Sequence, residues 1–208
     1  MNRSARRSIG CRPALLLVLA AFGAQAQSGA SEGEFLYHTQ NGDTLIGLGR
    51  RLLRDPPRWH DLQVRNHIAA PRRIPLGTVI RIPYAWLRLS PETATVSSVA
   101  GVAVHDGKPL VSGEALAQGS RIETGVDGSV TLDLADGSVI TLQKSSTMQL
   151  EEMQRVTGVN AAHDLRLKLD SGRLQTVVKP HHDVGRFEIV TPVAVSAARG
   201  TQFRTGFD

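Results

Sequence analysis

Few residues in this chain have the types and spacing that support chemistry. The one metal-like cluster is His181-His182-Asp183. Neighbouring side chains on a strand point to opposite faces, so these three do not converge on an ion, and a polar loop after Pro180 is the expected reading. Glu151-Glu152 reads as surface charge. The chain has no Gly-x-Ser-x-Gly, no His-Glu-x-x-His and no phosphate-cradling glycine loop. Its single cysteine, Cys11, sits ahead of a short apolar run. No catalytic residue, metal or cofactor is therefore expected. The polar stretch that stands out is Asn41-Gly42-Asp43-Thr44, in which Gly42 suits a turn and Asp43 or Thr44 suits a helix cap.

The start of the chain sets its compartment. Residues 1–13 carry Arg3, Arg6, Arg7 and Arg12 and no acid, residues 14–24 are apolar or small, and Ala24-Gln25-Ala26 follows. This is the pattern of a cleavable secretory signal, with cutting expected after Ala26. The apolar run of 11 residues is short of the roughly 20 that a spanning helix needs. No stable membrane span is expected after signal removal, and Cys11 leaves with the signal. The formal charge then falls from +5 to +1, which argues against a nucleic-acid partner. Aromatic residues make up only 4% of the chain, so aliphatic side chains must build the cores of a protein without disulfides.

Texture divides what remains. From Phe35 to Leu87 the balance is 8 Arg against 3 Asp, whereas from Pro91 to Asp208 it is 11 bases against 14 acids. A boundary at 88–95, "RLSPETAT", fits that shift, and "QSGASEG" at 27–33 reads as a flexible leader. In the first part, Phe35–Thr39 suits a strand and Leu45, Leu48 and Leu52 form a helical stripe. Asp55-Pro56-Pro57 stops that helix and starts another, with Trp59, Leu62 and Val64 pointing inward, and "GTVIRIP" at 77–83 returns as a strand. Gly47 and Gly49 weaken the first helix by about 1 kcal/mol each relative to Ala.

Tyr37, "GDTL" at 42–45, Trp59, Asn66, Pro75 and "GTVIRIP" closely resemble a LysM module over residues 35–83. The resemblance implies a βααβ fold that binds N-acetylglucosamine-containing glycans, chiefly peptidoglycan and chitin, in a groove between two loops. On this chain those loops supply Gly42, Asp43, Thr44 and Leu45 on one side and Asn66, His67 and Ile68 on the other. Loop N–H and C=O groups would bond the N-acetyl group while an apolar wall meets its methyl. The residue types also suit purely structural work: Gly42 and Asp43 for turn and cap, Asn66 for bonding loop backbone, Trp59 for the core.

The second part alternates. In "SVTLDLADGSVITLQ" a three-residue loop, Ala135-Asp136-Gly137, pairs Leu132 with Ile140 and Val130 with Leu142 on one face and places Gly137 in the left-handed region. Further strands are expected at Val99–Val104, Asp164–Leu169, Arg173–Val178, Arg186–Thr191 and Gln202–Thr205. A strand and a long hairpin tip are expected in "SSTMQLEEMQRVTGVNAAHD", with turns at Asp106-Gly107, Asp127-Gly128 and Ser171-Gly172. Gly113, Leu116, Gly119-Ser120, Ile122, Thr124-Gly125, Gly128-Ser129, Asp136-Gly137-Ser138 and "TPVAVSAARGTQF" resemble a FecR-type domain over about residues 96–208. Founding members of that family relay receptor occupancy to a sigma factor, through a cytoplasmic segment and a membrane helix ahead of the domain. Here a signal and a LysM-like segment stand in that place, so the resemblance implies the fold and the envelope setting but not that mechanism. The family continues past "GTQFRT", so the chain is expected to be cut short at its C-terminus.

The expectation is an α+β chain: signal peptide 1–26, leader 27–33, a LysM glycan-binding domain 34–87, linker 88–95 and an all-β FecR-type domain 96–208, built as a sandwich or short β-roll. Its expected location is periplasmic or secreted. Its expected partners are a peptidoglycan or chitin-like glycan and an unidentified envelope protein met by the β domain. The alternatives are a signalling component linked to a membrane receptor and the tethering region of a larger wall-active enzyme.

Overall fold

A computed structural model describes residues 33–160, 162–179, 185–197 and 202–207. The signal segment, His181-His182-Asp183 and Arg199-Gly200-Thr201 lie outside the described residues.

The first module runs β1 (Glu34–His38), α1 (Leu45–Leu52), a 3-10 turn (Pro56–Arg58), α2 (Trp59–Arg65) and β2 (Val79–Pro83). β1 and β2 are antiparallel, with Phe35 opposite Ile82 and Tyr37 opposite Ile80. Thr44 caps α1 by accepting the Gly47 N–H at 3.0 Å, replacing one of the partners a helix start lacks. Leu45, Leu48 and Leu52 are buried, each contributing about 1.5–3 kcal/mol by leaving water. Arg50 and Arg51 stand in the last turn, where the helix dipole favours cations. Gly49 is there for contact: a Cβ would lie 2.8 Å from the Pro56 carbonyl oxygen and 2.9 Å from Trp59 Cβ. Its cost in helix propensity thus brings the next element close. Leu62 is buried and Trp59 half-buried, but Val64 is 76% exposed. α2 has only seven residues and turns one narrow stripe inward, which Val64 misses.

A sheet follows: β3 (Leu89–Pro91), β4 (Thr93–Ala100), β5 (Ala103–His105), β6 (Lys108–Pro109), β7 (Ala115–Ala117), β8 (Arg121–Thr124), β9 (Ser129–Asp133), β10 (Val139–Leu142), β11 (Thr147–Val156), β12 (His163–Val177), β13 (Gly185–Thr191), β14 (Ala194–Ala197) and β15 (Gln202–Phe207). Its main path is β6-β5-β8-β11-β12-β10-β9-β4-β7. β9 and β10 take the expected register, Leu132 opposite Ile140 and Val130 opposite Leu142, and Gly137 has φ 82°. Alternation buries Val130, Leu132, Ile140, Leu142, Met148, Leu150, Leu167, Leu169 and Leu174 in one core.

Two expected punctuation marks fall elsewhere. Ser171-Gly172 is no turn: the two expected strands are one, β12, of 15 residues. Gly172 (φ 87°) creases it, because a Cβ there would lie 2.2 Å from Ser146 Oγ and 2.6 Å from Ser146 Cα. The register against β11 skips a residue at this crease, and β10 takes over as neighbour from Leu174. One strand therefore serves both halves of a single curled sheet, where two separate sheets or a roll were expected. The expected strand Val99–Val104 is broken at Gly101 (φ 63°), whose backbone lies against Asp127 and Gly128.

Residues 88–95 do not form a free linker. Leu89–Pro91 pair with Gln154–Val156 of β11. The Arg88 N–H donates to the Leu52 carbonyl at 2.7 Å and the Thr157 N–H to the Arg88 carbonyl at 2.8 Å. Val156 and Ala162, flanking the β11–β12 turn, are buried in the module's own core beside Leu52, Leu53, Tyr84 and Leu87. Asp164 of β12, fully buried, receives Arg186 Nε at 2.6 Å, and the Arg186 guanidinium lies over the Tyr84 ring at 4.7 Å. Burial pushes the Asp164 carboxyl up, with Arg186 opposing.

Candidate functional site

The two loops singled out in the sequence meet. The Leu45 N–H donates to the Pro71 carbonyl at 2.8 Å, so residues 40–45 lie beside the segment that leaves α2. Most of the seven named side chains are engaged by the fold. Asp43 Oδ2 accepts from Tyr37 Oη at 2.7 Å and from the Gln40 N–H at 2.8 Å, and Oδ1 accepts from Arg51 Nη2 at 3.1 Å. Thr44 is spent on its cap and Leu45 is buried. Asn66 donates to the Leu62 and Arg81 carbonyls at 2.9 and 3.0 Å and accepts the Arg81 N–H at 2.7 Å. That amide ties the end of α2 to β2. Ile68 packs partly on the module's core, and its carbonyl accepts from Gln63 Nε2 at 2.9 Å. Gly42 and His67 are exposed, His67 with φ 53°.

Backbone groups remain for a ligand. Among the described residues, the N–H groups of Gly42, Thr44, Ala69 and Ala70 have no hydrogen-bond partner. Two loops each offering unbonded amides, set side by side, can hold a carbonyl-bearing polar ligand without any particular side chain.

A second concavity was not legible in the sequence. It lies between the module and the β11–β12 turn, has a volume of about 280 Å³, and is lined by Tyr37, His38, Gln40, Arg51, Gly158, Val159 and Asn160. Burial, then the bond to Asp43, pushes the Tyr37 phenol up to about 12, so it is a protonated donor at neutral pH. An apolar shelf of about 240 Å³ runs over Ile46, Pro56, Pro57 and Trp59 on the far side of α1.

The β domain holds one arrangement with a catalytic outline. His105 Nδ1 lies 2.7 Å from Glu114 Oε1, and Nε2 lies 3.1 Å from both Ser120 Oγ and Asp106 Oδ2. The bond to His105 holds the Glu114 carboxyl below its usual range. A base must present a lone pair to the serine, yet here Nε2 also faces a carboxylate that can only accept. The nearby amides that might cradle an oxyanion are committed: Gly119 N–H to Leu150, Ser120 N–H to Ala117 and Arg121 N–H to Asp106 Oδ1. The cluster ties β5 to β8 and the loop before β7. Among the described residues no group of three or more His, Asp or Glu is placed to hold a metal ion. No helix among them is long and apolar enough to cross a membrane.

The fold from β4 onward is that of a curled, largely antiparallel β domain, and comparison with known families assigns part of it. Residues 120–207 match the family described as FecR protein, so the chain carries a FecR domain. The match begins at Ser120, just ahead of β8, later than the residue 96 expected from the motifs, although β4 and β7 already belong to the same sheet. Comparison with curated proteins and with solved structures gives no match. A FecR domain points to an envelope and signalling-related role.

Proposed function

We propose that the chain is a non-catalytic protein of the bacterial cell envelope, exported by a signal cleaved after Ala26. In this reading the LysM-like module takes an N-acetylglucosamine-containing glycan, peptidoglycan above all, and the FecR domain is held out to a protein partner. The observation that carries it is the Leu45–Pro71 bond, which sets two loops with unbonded amides side by side. The LysM motif and the strand-helix-helix-strand order of the module support it. The commitments of His105 and its neighbours favour a non-enzymatic role.

The test is sedimentation of the full chain with insoluble peptidoglycan at low salt, with N-acetylglucosamine oligomers as competitors. Pelleting that the oligomers reverse is the expected result. A chain that stays in the supernatant overturns the reading. The FecR match favours one alternative, a signalling component coupled to a membrane receptor. Cross-linking of the β domain to one specific receptor in intact cells, unchanged when wall binding is blocked by oligomers, would establish that alternative instead.

A further inference from the structure

The cleft at the junction has features that the loop groove lacks. Its floor on the module side is Arg51, positioned by two neighbours: Nη2 donates to Tyr37 Oη at 2.6 Å and to Asp43 Oδ1 at 3.1 Å. Nε and Nη1 of the same guanidinium have no partner among the described residues, and the side chain is 41% exposed. A guanidinium anchored through one nitrogen and open at the others is prepared for a carboxylate. Gln40 and His38 on one wall and Asn160 on the other are exposed, and amide and imidazole groups pair with hydroxyl and acetamido groups. Val159 supplies an apolar surface.

The cleft is built from residues far apart in sequence. Gly158 (φ 85°) brings the β11–β12 turn flat against α1, since a Cβ there would lie 2.7 Å from Arg51 Cγ and 3.0 Å from the Arg51 carbonyl oxygen. A volume of about 280 Å³ sits at the small end of ligand sites, which start near 300 Å³, so it suits one sugar unit. Gln40 lines the cleft and its carbonyl accepts the Asp43 N–H at 3.1 Å. The turn that opens the loop groove is therefore also a wall of the cleft.

We propose that this cleft is a second saccharide subsite, shared by the module and the FecR-bearing domain, that selects a carboxylate-bearing sugar of a wall glycan over neutral N-acetylglucosamine. The inference rests on the glycan reading of the module given above. Arg51 holds the carboxylate, and Asn160 reaches the same sugar from the β domain.

Calorimetric titration of the full chain with two peptide-free tetrasaccharides tests this. One is the neutral N-acetylglucosamine tetramer; the other alternates N-acetylglucosamine with N-acetylmuramic acid. The acidic tetramer is expected to bind about tenfold more tightly, the range of one charge-assisted hydrogen bond. Arg51→Gln should bring the two sugars to equal affinity. Asn160→Ala, at an exposed position, should weaken the acidic sugar about threefold to tenfold and leave the melting temperature unchanged. Equal binding of both sugars by the unaltered chain overturns the subsite while leaving the glycan reading standing. So does a preference that survives both substitutions. Absence of binding to either sugar overturns the glycan reading and the subsite with it.

Discussion

The module at residues 34–87 and the sheet after it are held together by different means. In the module, Asp43, Thr44 and Asn66 turn inward to backbone and neighbours and hold its loops in shape. In the sheet, apolar alternation carries the fold; Asp136, Ser138, Ser146 and Asp164 are buried and bonded to neighbours, and other polar side chains lie nearer the surface in pairs such as Arg121 with Asp170 and Lys168 with Asp170. Such exposed pairs contribute little to stability, typically 0–1 kcal/mol. The loop-built module commits its conspicuous polar side chains to shape and leaves backbone amides such as those of Gly42 and Ala69 unbonded. The strand-built domain buries a few polar side chains at its turns and crease and pairs others near its surface.

Glycines sharpen the contrast, because each region has one that a side chain would displace. Gly172→Ala should be the more damaging. It combines a left-handed backbone with overlap onto Ser146 backbone that cannot swing aside, and a loss of about 3 kcal/mol is expected. Chemical denaturation should show a lower midpoint with an unchanged slope. Little or no loss would mean that the crease is not what joins the two halves of the sheet. Gly49→Ala is a contest of signs. Helix propensity favours Ala by about 1 kcal/mol, whereas contact with Pro56 and Trp59 opposes it by about 1–3 kcal/mol. A net loss of about 1 kcal/mol is expected in the same experiment, and a more stable variant would refute the packing account of this helix.

The smallest effect concerns Glu34, on β1. Its bond to Arg65, and more weakly Arg81, holds its carboxyl below the ordinary value of 4.5. A lowered value means stability that is present above that pH and lost as pH falls through the folded-state range. Both arginines are exposed, so the contribution is below about 1 kcal/mol. Glu34→Gln should lower stability slightly at neutral pH, and the difference should shrink as the pH falls through the folded-state range. A difference that persists in acid would assign the effect to packing instead.

The sheet was most legible where period and turn agreed. Val130, Leu132, Ile140 and Leu142 alternate about an Ala-Asp-Gly loop, and one register alone buries all four on the same face. Ser171-Gly172 misled because a glycine beside a serine carries the same signature in a turn as in a crease, and only Ser146, distant in sequence, distinguishes them. Val64 fits a helical stripe on paper, but a helix of two turns has no second neighbour to cover it. At the candidate site, the loops were legible from Gly42-Asp43-Thr44 and Asn66, while the engagement of those side chains by their own fold was foreseen only for some. The cleft lay beyond sequence reading altogether. Arg51 and Asn160 are brought together by a hairpin tip, and no local pattern announces which surface such a tip will meet.

The burial of Val156 and Ala162 among the module's leucines has a consequence for geometry at a distance. A segment such as 88–95, left free, would act as a leash, and the sheet would swing through every orientation its length allowed. Threaded instead as β3 along β11 and closed over by a common core, it acts as a bracket. On the function proposed above, the FecR domain would stand at one height and one angle over whatever surface the module gripped, and a partner would meet the same face each time.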